Sequence, residues 1–193
     1  MTHLATTLTS LSLDPGLAPK LQRFRDLLLR WNQSINLSAA RSGDDIEEHI
    51  RDSLHVVAHV QAVGRVVDVG AGGGFPAVVV AICLPAVSVT AIEPVRKKHA
   101  FLRTAARELD LVNFEALPIR VEDHATRDYD AAMSRATFDL REWILLGADL
   151  VRADGLVLGF EATRRDDLPQ PIARHSYELD GKQRAIVAYR RSR

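Results

Sequence analysis

The sequence predicts an α/β fold: a mostly parallel sheet with an antiparallel C-terminal edge, preceded by an N-terminal helical extension. Three observations carry this. From Arg65 onward, short β-branched apolar runs alternate with helix-length segments, the rhythm of parallel βαβ units. The first run leads into Asp68-Val69-Gly70-Ala71-Gly72-Gly73-Gly74-Phe75-Pro76, a glycine-rich turn of the kind that joins the first strand of a doubly wound sheet to its helix. Before Arg65 the apolar residues instead recur at three- and four-residue steps. The expected units are residues 1–62, the extension, and 63–193, the α/β domain.

Taken in order, residues up to Pro15-Gly16 carry Thr and Ser with scattered Leu, and are expected to form a loosely ordered lead-in. Leu17, Leu21, Phe24, Leu27, Leu28 and Trp31 define an amphipathic helix that stops near Asn32, with Lys20, Arg23, Arg25 and Arg30 outside its stripe. Ser42-Gly43-Asp44-Asp45 is a capping signal for a second helix that turns Ile46, Ile50, Leu54 and Val57 inward. Strand one ends at Asp68. A helix follows from Pro76 to Leu84, Pro85 breaks it, and strand two covers Val87 to Ile92. Pro94 opens a helix from Val95 to Leu109; strand three is placed at Asn113 to Arg120 and strand four at Tyr129 to Ser134. A helix around Leu140 to Val151 and the turn Asp154-Gly155 precede strand five, Leu156 to Phe160. Ser176 to Leu179 and Arg184 to Tyr189 then form an antiparallel pair around Asp180-Gly181.

Composition narrows the chemistry. At 193 residues and 47% hydrophobic, the chain has ample material for a core, but no apolar run long enough to cross a bilayer and no signal-peptide pattern. A soluble cytoplasmic protein without a membrane partner is expected; nothing fixes the oligomeric state, and a monomer is the expectation. Lys and Arg number 25, as do Asp and Glu, so any basic patch for a nucleic acid must be local. Cys83 is the single cysteine, which leaves no internal disulfide and no cysteine-based metal cluster; no metal site is expected. It lies in the apolar run Val78 to Leu84, the place of a small core residue. Methylation at pyrimidine carbon 5, which proceeds through a cysteine nucleophile, is therefore disfavoured.

The glycines stand at G-x-G-x-G spacing through Gly70, Gly72 and Gly74, so a nucleotide cofactor is expected against the loop backbone. Asp68 chooses between two cofactor classes. A carboxylate at the mouth of the loop, where Asp68 is expected, would repel a dinucleotide pyrophosphate, whereas S-adenosylmethionine brings a sulfonium and an ammonium, which Asp68 attracts. Glu93 ends the second strand about 20 residues past the glycines, where such folds place an acid on the ribose hydroxyls. Asp68, Glu93, Glu122 with Asp123, and Ser134 with Arg135 all fall at carboxyl ends of strands, the ligand edge of a doubly wound sheet.

Beyond the loop the chain resembles the small-subunit ribosomal RNA methyltransferase G family, also called glucose-inhibited division protein B, which methylates N7 of one guanine in 16S ribosomal RNA. The likeness rests on Trp31-Asn32 with Asn36-Leu37-Ser38, His49 with Asp52-Ser53-Leu54, the glycine loop, Arg96-Lys97-Lys98 with Phe101-Leu102-Arg103, Arg120-Val121-Glu122-Asp123 and Ser134-Arg135-Ala136. The resemblance implies a class I S-adenosylmethionine-dependent methyltransferase, Rossmann-like, that leaves S-adenosylhomocysteine as product and takes 16S ribosomal RNA or the small ribosomal subunit as partner. It places the cofactor on Gly70 and Phe75, its ribose on Glu93 and its adenine beside Val121 and Glu122, and assigns Arg135 to the catalytic junction of cofactor and target.

His49 and Asp52, three apart on one helix face, either line the target cleft and touch RNA or hold a capping or interhelix hydrogen bond. Arg96, Lys97 and Lys98, with the tail Arg190-Arg191-Ser192-Arg193, are the cations available to RNA phosphates. Ala77 stands where the family commonly has glycine. Glu161, in Phe160-Glu161-Ala162, stands where its pattern usually has a lysine before glycine. The absence of an Asn-Pro-Pro-Tyr or Asp-Pro-Pro-Tyr motif fits a ring nitrogen rather than an exocyclic amine as the methyl acceptor. Alternative readings are a methyltransferase of the same fold acting on a small molecule or protein, and a non-catalytic ribosome-associated protein.

Overall fold

The computed structural model describes residues 3–35 and 37–192. Seven strands form one sheet: β1 (Arg65–Val69), β2 (Ser88–Ile92), β3 (Phe114–Leu117), β4 (Tyr129–Ser134), β5 (Val151–Glu161), β6 (Ala173–Leu179) and β7 (Lys182–Arg190), in the order β3-β2-β1-β4-β5-β7-β6. The first five are parallel. β7 inserts antiparallel between β5 and β6, as the expected C-terminal edge requires.

The helices are α1 (His3–Ser10), α2 (Ala18–Ile35), α3 (Gly43–Val60), α4 (Ala77–Cys83), α5 (Arg96–Glu108) and α6 (Leu140–Leu150). Strand alternation decides which side each strand residue serves. Val66, Val89 and Met133 face a core shared with α1 to α5, while Val67, Val69 and Ala132 face the second core under Trp143 of α6. Asp68 takes the side of Val66, under α4. The helical extension is thus packed into the same core as the sheet.

The lead-in expected to be loose is helix α1, and this is a correction. Leu4 and Leu8, one turn apart, are fully buried, and the hydroxyls of Thr7 and Thr9 donate to the carbonyls of His3 and Ala5, which satisfies polar groups within the helix. Helix α2 also runs past Asn32, whose amide reaches out to accept from the Ser38 N–H at 2.9 Å and donate to the Ser38 and Ala40 carbonyls. Asn36 of the resembling motif, and Arg193 of the basic tail, lie outside the described residues. At α3 the capping signal is realised in both directions between Ser42 and Asp45.

Strand β3 stops at Leu117, and residues 121–123 form a short 3-10 turn instead of extending it. Strand β5 begins earlier than expected, at Val151. Asp154, at φ +62°, and Gly155 make a kink inside it, where the register with β4 jumps from Tyr129↔Val151 to Ala131↔Leu156. Asp180 and Gly181, both at positive φ, close the β6–β7 hairpin as a two-residue turn and set Tyr177 opposite Arg184.

Candidate active site

The glycine loop leaves β1 with Gly70, Gly72 and Gly74 at φ +74°, +56° and +93°, conformations that favour residues without a Cβ. The Gly70 and Ala71 N–H groups both donate to the Ile92 carbonyl, so the loop stays stitched to β2. A Cβ at Gly70 would fall 2.4 Å from Thr137, and one at Gly74 2.6 Å from Val78, so both are packed shut. Gly72 is open: its nearest neighbour would be the Gly70 carbonyl oxygen at 3.7 Å.

Asp68 lies beneath the loop rather than at its mouth. It is wholly buried, Oδ2 accepts from the Ala77 N–H at 3.0 Å at the start of α4, and Oδ1 has no hydrogen-bond partner among the described residues. Burial pushes its carboxyl up to about 7, with the nearby Glu93 charge adding to the rise and the Ala77 N–H and Arg135 opposing it. The unfolded chain releases this proton near the ordinary value of 3.8, so between that pH and about 7 the folded state holds more protons. The Asp68 contribution to stability therefore falls as pH rises through this window and is flat above it. Denaturant unfolding of Asp68→Asn beside wild type is expected to show the variant gaining relative stability from pH 4 to 7; a pH-independent difference would contradict it.

Glu93 is almost fully buried and bridges two loops. Oε2 accepts from Gly72 N–H at 2.9 Å and Oε1 from Val95 N–H at 2.8 Å, which leaves one lone pair on each oxygen for ribose hydroxyls. Glu93→Ala is expected to weaken cofactor binding by about 1–3 kcal/mol, roughly five- to 150-fold in affinity. Calorimetric titration checks this, and an unchanged affinity would remove Glu93 from the ribose. In the 3-10 turn that follows β3, Val121 is buried and Glu122 exposed, the arrangement of an apolar wall beside a polar rim.

The end of β4 turns toward the extension. Ser134 is fixed by a hydrogen bond from its hydroxyl to the Val69 carbonyl at 2.8 Å, and Arg135 then crosses to α3. Its Nη1 donates to Asp52 Oδ2 at 2.9 Å and lies 3.5 Å from His49 Nδ1, and its guanidinium sits 5.1 Å from the centre of the Phe75 ring. Asp52 Oδ1 accepts from the Tyr177 hydroxyl at 2.9 Å and from Arg184, which also pairs with Glu48. Of the two readings left open, Asp52 thus makes interelement hydrogen bonds. His49 borders the cleft against Phe75, ring centres 5.4 Å apart. Burial, then the Arg135 charge, holds the imidazole below its ordinary value and so neutral at neutral pH.

These groups wall a cavity of about 340 Å³ whose far side is Phe160, Glu161 and Ala162, within the usual size of small-molecule sites. Glu161 does not project a free charge into it: one oxygen accepts from the Arg165 N–H at 2.9 Å and the other is paired with Arg174. Asp52 is 2% exposed and holds two guanidinium groups and a phenol. Its replacement by alanine leaves them unpaired, and Asp52→Ala is expected to cost about 3 kcal/mol, or roughly 6–12 °C in melting temperature. A melt within two degrees of wild type would count against the network.

Sequence reasoning missed Tyr177, Arg184 and Arg174. A two-residue Asp180-Gly181 turn fixes the pairing of Tyr177 with Arg184, so the hairpin register could have found two of them. Arg96, Lys97 and Lys98, at the start of α5, are separate from the cavity and make no ion pair among the described residues. In the tail, Arg190 and Arg191 donate to the carbonyls of Asp154 and Val151, so these two brace β5.

A family model described as rRNA small subunit methyltransferase G matches residues 17–187. The chain belongs to that family. It is 38% identical over 169 residues to the Ribosomal RNA small subunit methyltransferase G of Azoarcus sp. (strain BH72), covering 86% of this chain and 80% of that protein. It is 33% identical over 174 residues to the protein of the same name from Helicobacter hepaticus, covering 88% and 92%. In fold it is similar to the crystal structure of M. jannaschii TYW2 in complex with AdoMet, with a TM-score of 0.61, 14% identity and 75% of each chain covered. It also resembles an O-methyltransferase family protein from Burkholderia thailandensis, with a TM-score of 0.56, 17% identity, and 83% of this chain and 63% of that one covered. The sheet is that of a class I methyltransferase.

S-adenosylmethionine is the cofactor of the methyltransferase G family, and the residues here fit it. Asp68 Oδ1 is a buried carboxyl oxygen with no hydrogen-bond partner among the described residues, Gly72 leaves the loop backbone open, and Glu93 keeps acceptor capacity beside it. No described helix is long and apolar enough to cross a membrane, and no cluster of metal-ligating residues occurs among the described residues.

Proposed function

We propose that this chain methylates N7 of a guanine in 16S ribosomal RNA, with the target base in the cavity between Arg135 and Glu161. The observation that carries the reading is that every carboxylate on the cavity wall is already engaged. Asp52 is held by Arg135, Arg184 and Tyr177, and Glu161 by Arg174 and the Arg165 N–H. No carboxylate stands ready to take a proton, and the neutral imidazole on the wall, His49, has its Nδ1 turned to Arg135 at 3.5 Å. Guanine N7 is a bare lone pair, so its alkylation releases no proton and asks for alignment rather than a base.

When bound, S-adenosylmethionine supplies a methyl group activated by an adjacent sulfonium. Gly70, Gly72, Gly74 and Phe75 form its cradle, Asp68 lies under it, Glu93 accepts from its ribose, and Val121 and Glu122 flank its adenine. Arg135 is held in place by Asp52 and Phe75, and its remaining N–H groups donate to the Hoogsteen edge of the base. A purine must leave its stack to enter the cavity, and the helical extension supplies the wall, His49, that meets it. The extension, residues 1–62, acts in this reading as the target-facing unit and residues 63–193 as the cofactor-binding unit of a cytoplasmic enzyme.

The test is transfer of labelled methyl to undermethylated small ribosomal subunits and to their extracted RNA, followed by nucleoside mass spectrometry and mapping of the labelled position. Label on one guanine N7 is the expected result. Label on another atom, or none despite measurable cofactor binding, would overturn it.

A further inference from the structure

Helices α2 and α5 carry nine Lys and Arg against two Asp and Glu, a net of +7, in a chain whose charges sum to zero. The other residues therefore carry −7. The sequence shows this only as two separate basic helices; the fold lays them side by side. Arg23 of α2 donates to the Glu108 carbonyl of α5 at 2.6 Å, and Trp31 of α2 meets Phe101 of α5 edge-on at 5.6 Å. The ion pairs that these helices make are Arg25 with Asp26 and Glu47, and Arg107 with Glu108. Lys20, Arg30, Arg96, Lys97, Lys98 and Arg103 have no ion-pair partner among the described residues, and Arg30, Arg96, Lys97 and Arg103 are exposed. Between the helices lies a groove of about 520 Å³, with Leu27 and Ile35 as apolar lining, Arg30, Trp31, Ser34 and Thr104 around it, and Glu108, which pairs with Arg107, at one end.

We propose that this face is a second RNA contact, distinct from the catalytic cavity, in which the groove takes an unpaired nucleotide and the surrounding cations take the phosphates on either side. The charge is predominantly positive, and those six of the nine cations are without an ion-pair partner among the described residues, as contact with an anionic polymer requires. An apolar floor with an indole and a guanidinium at its edge suits a base that stacks without being read by its hydrogen bonds. The face is joined to the active site through the core: Phe24 of α2 lies 5.4 Å from Phe75 of the glycine loop. RNA held there is anchored to the body that carries the methyl-donor loop, while selection of the target base stays with the cavity. The proposal rests on ribosomal RNA being the substrate.

The double variant Arg30→Glu/Arg103→Glu tests it, since neither side chain touches the cavity or the glycine loop. Expected are a KM for the small ribosomal subunit raised about tenfold or more, kcat and S-adenosylmethionine affinity unchanged, an unchanged melting temperature, and weaker binding to protein-free 16S ribosomal RNA. The slope of log affinity against log salt should also become shallower by about 1.4, at about 0.7 for each lost single-strand phosphate contact. Arg30→Gln/Arg103→Gln should fall between wild type and the reversal. Wild-type KM and salt slope in the reversal variant overturn the proposal. So does a loss seen only on assembled subunits with binding to free RNA intact, which would assign the face to a ribosomal protein. Failure of the wild-type chain itself to methylate ribosomal RNA is a separate result and strikes the functional reading first.

Discussion

Titration of Gly72→Asp with S-adenosylmethionine is expected to yield no measurable heat, while the variant melts close to wild type. The two halves of that result have separate causes. A Cβ at position 72 meets only the Gly70 carbonyl oxygen, at 3.7 Å, so the side chain has room, and φ of +56° is a conformation that aspartate tolerates better than most residues. The new carboxylate, however, stands in the space that the open glycine leaves to the cofactor, and it adds a second anion beside Glu93, whose Oε2 already accepts from the N–H of residue 72. Gly70 and Gly74 do not offer this separation, because any side chain there collides with Thr137 or Val78 and disturbs the fold as well. Affinity within threefold of wild type would show that the loop is not the cofactor cradle.

Arg135→Ala is expected to reduce kcat by about a hundredfold or more, the scale of losing one preorganised donor at a reacting centre, with a much smaller change in cofactor affinity. Its polar contacts run to Asp52 and His49 of α3, and it meets the glycine loop only at the Phe75 ring, not at the loop backbone. Two further signs distinguish a positioned guanidinium from a merely structural one. His49 loses the cation that helps hold its imidazole below the ordinary value, so its titration moves up. Arg135→Lys keeps the charge but not the planar fork over Phe75, and is expected to recover only a minor part of the rate. Wild-type turnover in Arg135→Ala would remove the residue from the site.

The sheet was legible because its strands are continuous β-branched runs punctuated by Pro and Gly, and because Asp180-Gly181 is a hairpin signal that leaves little choice of turn. Helix α1 was not, since two leucines among Thr and Ser give too short a stripe; their burial is decided by the groove that α2 and α3 offer. The cofactor side read well for a local reason: Gly70, Gly72 and Gly74 are close in sequence, and Glu93 stands at a strand end fixed by the same rhythm. Asp68 was found, but its depth was not. Alternation puts it on the α4 side of β1, and only the packed helix shows that the carboxylate is sealed there. The target side was legible only in part, because it is assembled from distant stretches. Nothing near Glu161 in sequence announces Arg174 as its counterion.

The Asp52 hub also imposes an order in time. Asp52 leaves the ribosome 125 residues ahead of Tyr177 and 132 ahead of Arg184. Until β6 and β7 are made, the carboxylate that anchors Arg135 lacks two of its donors, and the cleft wall opposite the glycine loop is unfinished. A nascent chain with its cofactor loop already synthesised therefore has no complete target cavity. On the proposed reading, methyl transfer waits until the β6–β7 hairpin has docked its Tyr177 and Arg184 on Asp52.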